Sequence, residues 1–106
     1  MDITLLYFDD CPGWEVADGR LGEALRIVGL DPTAVRRRQI TTDEEAQRAR
    51  FRGSPTILLD GVDPFPGGDG GPFGLSCRLY PSESGLAGSP TLDQLVDVLR
   101  SRLSSA

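Results

Sequence analysis

Two side chains in this sequence can act as sulfur nucleophiles or soft-metal ligands: Cys11, in FDDCPGW, and Cys77, in LSCRLY. The reactive species at either would be the thiolate. Cys11 is followed by Pro12 and Gly13 like the opening of a redox CxxC motif, but Trp14 stands where the second cysteine would be. Any two-thiol chemistry must therefore recruit Cys77 from far along the chain. The sequence contains no histidine, which removes imidazole general-base catalysis and Ser-His-Asp triads. A tetrahedral zinc site would need two carboxylates beside the two thiolates, whereas two thiolates without histidine suit linear Hg(II) or Cu(I). Cys11 and Cys77 are the metal ligands to expect only if the metal is soft.

The neighbours of Cys11 pull its chemistry in opposite directions. A thiol at a helix start meets unpaired N–H groups and the positive end of the helix dipole, which favour thiolate. Asp9, Asp10 and Glu15 supply negative charge that disfavours a second anion. The sequence leaves the sign open. Asp10 reads either as a helix-terminus residue favoured by the dipole or as a proton donor or acceptor. Trp14 continues an apolar helical stripe, so it either packs beneath the site or covers the sulfur. Free cysteine is often a small core residue, and Cys77 would fit a strand in that role. Cys11, between two aspartates and a proline, is expected to be reachable by solvent and chemically active.

The elements that must position these residues follow from local pattern. ITLLYF, residues 3–8, is unbroken β-branched, aliphatic and aromatic sequence, as in a strand buried on both faces. Trp14, Ala17, Leu21, Ala24, Leu25 and Val28 fall on one helical stripe, with Pro12 suited to the first turn and Gly29 and Pro32 closing it. TAVRRRQI reads as an edge strand, its Arg36, Arg37 and Arg38 a solvated face. Thr42 and Glu45 form a capping-box pattern for a short helix to about Arg50, each satisfying a backbone donor. PTILLDG is a strand closed by a turn. Residues 62–75 hold five glycines and three prolines with no periodicity, a loop of a length usually tied to function or disorder. SCRLY reads as a strand and PSESGLAG as a turn. Ser89 is the expected cap of a last helix, with Pro90 in its first turn and Leu92, Leu95, Val96, Leu99 and Leu103 on one face. The order is β-α-β-α-β-β-α.

The 106 residues suit one α/β domain spanning 1–106. A hydrophobic fraction of 39% and a charged fraction of 25% are those of a soluble globular chain. No apolar run reaches the roughly 20 residues needed to span a bilayer, and the N-terminus lacks signal-peptide character, so no membrane partner and a cytoplasmic location are expected. A formal net charge of −5 argues against nucleic acid as a partner.

This order, with a cysteine where the first strand meets the first helix and the Ser54-Pro55 pair before the third strand, resembles the thioredoxin-like fold, glutaredoxins in particular. The resemblance spans nearly the whole chain and implies a central mixed sheet of four strands flanked by helices. It places a cis Pro55 beside Cys11. Backbone groups at Gly53 and Ser54 would then be free to pair with an extended thiol substrate, with Pro12 and Trp14 lining the same site. CPGW keeps the first cysteine and the proline of the glutaredoxin CPxC. The strand carrying Cys77 would lie next to the strand after Pro55, leaving open whether the two sulfurs meet.

A second likeness lies at the other end, where CRLYPSESGLAGSPTLDQLVDVL is similar to the C-terminal segment of alkylmercury lyases. Those enzymes use two distant cysteines and an acid three positions after the first. Here that position is Trp14, and the nearest acids are Asp10 and Glu15.

Three functions are therefore expected to compete. In the first, Cys11 is the nucleophile of thiol–disulfide exchange and Cys77 its resolving thiol. It needs no bound cofactor, and its partners are a small thiol, a disulfide or a soft electrophile, with a low-molecular-weight thiol as co-substrate. The second is binding or cleavage of a soft metal or organomercurial by the same pair. The third is a non-catalytic binding module using the 62–75 loop, with Phe65 and Phe73 either anchoring a partner or tucked into the core.

Overall fold

The computed structural model describes residues 1–65, 74–83 and 85–104. Strand β1 (Ile3–Tyr7) leads to helix α1 (Gly13–Ile27), strand β2 (Val35–Gln39), helix α2 (Asp43–Ala49) and strand β3 (Thr56–Leu59). A hairpin of β4 (Tyr80–Ser82) and β5 (Gly85–Ala87) precedes helix α3 (Leu92–Ser104). Three strands form a mixed sheet in the order β2-β1-β3, with β2 parallel and β3 antiparallel to β1. The uninterrupted apolar β1 takes the centre, since only that strand must bury both faces. The arginine-bearing β2 lies at an edge, where Arg36, Arg37 and Arg38 are exposed.

The two faces of β1 carry separate cores. Ile3 and Leu5 pack with Leu21, Ala24 and Leu25 of α1 and Leu95, Val96 and Leu99 of α3. Leu6 faces the other way, into a smaller cluster with Ile40, Ala46 of α2 and Phe51. Period-2 alternation thus sends α1 and α3 to one side of the sheet and α2 to the other.

Helix ends follow local chemistry. Beyond α1, Gly29 adopts φ +83°, and the Leu30 N–H reaches the Leu25 carbonyl at 2.8 Å, so a left-handed residue closes the helix. Thr42 caps α2, accepting from the Glu45 N–H at 3.1 Å. The Glu45 carboxylate, expected on a backbone donor, instead accepts from the Thr41 hydroxyl at 2.5 Å. At α3 the cap is Thr91, not Ser89: Gln94 N–H donates to Thr91 Oγ1 at 3.1 Å and Thr91 N–H to Gln94 Oε1 at 2.9 Å. That reciprocal pair satisfies two donors, which Ser89 could not. Ser89 Oγ and the Pro90 carbonyl accept from Arg20 of α1, at 3.1 and 2.9 Å. The segment after Tyr80, expected to be a simple turn, forms the β4–β5 hairpin, pairing Tyr80 with Ala87. Most of its residues are exposed, so no hydrophobic alternation announces it. Among the described residues no helix is long and apolar enough to cross a membrane.

Gly13 explains one letter of CPGW. A Cβ there would stand 2.3 Å from the Gly88 carbonyl oxygen, whereas one on Gly19 would meet nothing within 4 Å. Ordinarily Gly→Ala in a helix stabilises by about 0.5–1 kcal/mol. Gly19→Ala should do so, while Gly13→Ala should destabilise by roughly 1–3 kcal/mol through overpacking. Urea midpoints for the two variants, shifted in opposite directions, would check this.

Candidate functional site

After β1 the chain turns sharply, with the Cys11 N–H donating to the Phe8 carbonyl at 3.1 Å. The Trp14 N–H donates in turn to the Cys11 carbonyl at 3.3 Å, so the sulfur-bearing residue sits just before α1, with Pro12 at the cap position. From the segment leading into β3, the neighbour of β1, Ser54 Oγ donates to the same Phe8 carbonyl at 3.3 Å. One oxygen therefore ties the cysteine turn to the segment entering β3. The Ser54–Pro55 bond is cis, and Ser54 and Pro55 are both buried.

The backbone of Ser54 is fully engaged. Its N–H donates to the Ser76 carbonyl at 2.8 Å, and its carbonyl accepts from the Arg78 N–H at 2.9 Å, a parallel bridge with Cys77 as its register partner. The edge expected to be free for substrate is thus occupied by the chain's own residues 76–78. Close approach requires Gly53, whose φ is +132° and whose missing Cβ would stand 2.9 Å from Arg78 Cβ and 3.1 Å from Arg78 N. A side chain at residue 53 would be strained in its backbone and would also push residue 78 away.

This pairing delivers Cys77 to Cys11. The two form a disulfide, S–S 2.12 Å with Cα atoms 5.6 Å apart, across 66 residues of sequence. Its halves differ in exposure. Cys11 is 1% exposed and belongs to the core, whereas Cys77 is exposed. This corrects the expectation of a solvent-reachable Cys11. Asp10 and Pro12 are open to solvent as their polarity and position suggest, but the residue between them is buried and bonded to Cys77.

Beyond Cys77 the side chains alternate. Arg78 and Tyr80 turn inward and are buried, while Leu79 is 58% exposed. The Arg78 guanidinium pairs with Asp63 at 2.5 Å, with side-chain exposures of 6% and 19%, and donates to the Phe65 carbonyl at 3.3 Å. It also lies over the Tyr80 ring, 4.5 Å from the centroid, a cation–π contact in a desolvated setting. The Tyr80 hydroxyl donates to the Pro55 carbonyl, and Phe65 meets the Tyr80 ring edge-on with centroids 5.2 Å apart. Phe65 is thereby packed rather than presented as an anchor, while Phe73 and residues 66–73 of the expected loop lie outside the described residues. Arg78, Asp63 and Tyr80 were not singled out from the sequence. The only signal was the alternation in CRLY, and an arginine there gives no hint that its carboxylate stands 15 residues earlier.

The remaining candidates are placed as follows. Trp14 is half-buried and stacks on Tyr7 with centroids 4.0 Å apart, packing against the larger core. Glu15, like Asp10, is exposed. Among the described residues no group of three or more His, Cys, Asp or Glu side chains could hold a metal ion. A surface cleft of about 270 Å³, lined by Leu59, Val62, Pro64, Val98, Ser101 and Arg102, includes neither cysteine. Comparison with protein-family models, with curated proteins and with solved structures found no match, so the chemistry rests on this geometry.

Burial pushes the Tyr80 hydroxyl well above its ordinary value of 10.0, with Asp63 adding to the shift and Arg78 opposing it. The folded chain keeps this proton where the unfolded chain loses it. Stability from Tyr80 is therefore complete below about pH 10 and declines above it, with a slope approaching about 1.4 kcal/mol per pH unit. Tyr80→Phe should cost about 1–3 kcal/mol at neutral pH by orphaning a buried carbonyl, and should flatten that alkaline decline. Urea midpoints of both proteins on either side of pH 10 test it, and equal slopes would contradict it.

Proposed function

We propose that this chain is a thioredoxin-like thiol–disulfide exchange protein whose redox-active pair is Cys11 and Cys77. The observation that carries the reading is the meeting of these two sulfurs, far apart in sequence, beside the Ser54-Pro55 turn. One of the two residues is open to solvent. That exposed half gives an external thiol a route to the bond. In this reading residues 76–78 supply the additional strand beside Ser54, extending the three-stranded sheet toward the four-stranded thioredoxin-like arrangement. The reaction takes two electrons from two small thiols, leaving one external disulfide and a protein dithiol, or runs in reverse. No bound cofactor enters it.

A second reading draws on the same pair. The 76–78 segment is held beside Ser54 by backbone hydrogen bonds, so after reduction two thiols would face one another with no histidine in the chain. Such a pair suits linear coordination of a soft cation.

Exchange is tested by turnover of a small aromatic disulfide with glutathione as the reductant. The wild-type protein should turn over, Cys11→Ser and Cys77→Ser should each be slowed because each removes one half of the pair, and the double variant Cys11→Ser/Cys77→Ser should lose activity by about a hundredfold or more because no sulfur of the pair remains. Full turnover in the double variant would eliminate the reading. For soft-metal capture, the reduced protein titrated with methylmercury should hold one equivalent by native mass spectrometry, weakened in both single variants. Failure of the reduced wild type to retain mercury would remove that alternative.

A further inference from the structure

We infer that the sulfur meeting external thiols and disulfides is that of Cys77, and that Cys11 is the internal partner which leaves and returns. This deepens the exchange reading and rests on it. It also reverses the order suggested by the CPGW motif.

Thiol–disulfide exchange is an in-line displacement, so an incoming thiolate must approach the attacked sulfur from the side opposite the sulfur that leaves. For Cys11 that approach starts from a residue 1% exposed that belongs to the core. For Cys77 it starts from an exposed residue next to exposed Ser76. Access therefore selects Cys77.

The selection survives reduction, because the disulfide is not what holds Cys77 in place. Residue 76 accepts from Ser54 N–H and residue 78 donates to the Ser54 carbonyl. Arg78 is fastened to Asp63 and to the Phe65 carbonyl, and Tyr80 to the Pro55 carbonyl. None of these contacts involves sulfur. With the bond broken, the segment still lies beside Ser54 and still presents Cys77 outward.

The steps balance. An external thiolate RS⁻ attacks Cys77 Sγ, the protein S–S bond breaks, and its electron pair leaves on Cys11 as thiolate. The product is an RS–S–Cys77 mixed disulfide. A second RS⁻ attacks the external sulfur of that mixed disulfide, forming RSSR and releasing Cys77 as thiolate. In the oxidising direction Cys77 thiolate attacks RSSR and expels RS⁻. Cys11 thiolate then attacks Cys77 Sγ, expelling the second RS⁻ and re-forming the internal bond.

The test uses the oxidised wild-type protein, mixed briefly with limiting glutathione, quenched with acid, alkylated and mapped without reduction by mass spectrometry. Glutathione should be found on Cys77 at least about tenfold more often than on Cys11, reflecting access. In parallel, the single thiol of Cys11→Ser should react with an aromatic disulfide reagent at least about tenfold faster than that of Cys77→Ser, again by access. Glutathione mapped chiefly to Cys11, or a faster Cys77→Ser reaction, overturns this assignment and leaves exchange intact. An oxidised wild type that yields no adduct and is not reduced at all overturns both.

Discussion

The geometry of this molecule depends on one close approach of two backbone segments. Gly53, without a side chain and at φ +132°, lets residue 78 come within about 3 Å of where a Cβ would be. Ser54 then exchanges both of its backbone hydrogen bonds with residues 76 and 78. From that contact follow the register of Cys77 against Ser54 and the meeting of the two sulfurs. A backbone that can pair with an extended segment is satisfied within the chain, which removes the cost of leaving a buried N–H and carbonyl unpaired.

The contact is reinforced by a polar group that could easily have weakened it. Arg78 is nearly sealed from solvent, and a buried guanidinium is costly unless paired and hydrogen-bonded. Asp63, the Phe65 carbonyl and the Tyr80 ring together provide those partners. Removing one member of such a pair typically costs about 3–5 kcal/mol, because the other charge remains buried. The arrangement therefore has few alternatives: the segment either lies along Ser54 with Arg78 inside, or leaves entirely. That behaviour would suit the proposed exchange, in which Cys77 keeps one position through a change in its own bonding.

Much of the scaffold was legible in the sequence, and the reason is local. The unbroken apolar run of β1, the Thr42 cap, the Asp60-Gly61 turn with φ of 52° and 80° and the arginine-lined edge strand β2 each depend on residues within a few positions. The two cysteines could also be singled out by residue type, and the structure brings them together. What could not be read was set by contacts across long separations. The polar residues beside Cys11 suggest exposure, but it is buried and bonded to a cysteine 66 residues away. Ser89 and Thr91 both resemble caps, and the choice between them turned on Gln94 completing the reciprocal pair. The glycine of CPGW looks like part of a motif but answers to the Gly88 carbonyl.

The long separation of the cysteines has an energetic side as well. Closing a loop of 66 residues removes chain entropy from the unfolded state worth about 4 kcal/mol at room temperature, so the bond stabilises the fold. By linkage, the fold favours the bond to the same extent. A protein that exchanges this disulfide must give up that contribution each time it is reduced, and must remain folded without it. Contacts that hold residues 76–80 without using sulfur are therefore what the proposed reversible chemistry would require: they would keep the reduced chain assembled and Cys77 beside Cys11 for re-oxidation. Were the disulfide the only tie between these segments, reduction would free residues 74–80 and the sulfurs would have to find one another by loop closure. The backbone pairing at Ser54 and the buried Arg78–Asp63 pair turn that search into a short displacement between neighbouring groups.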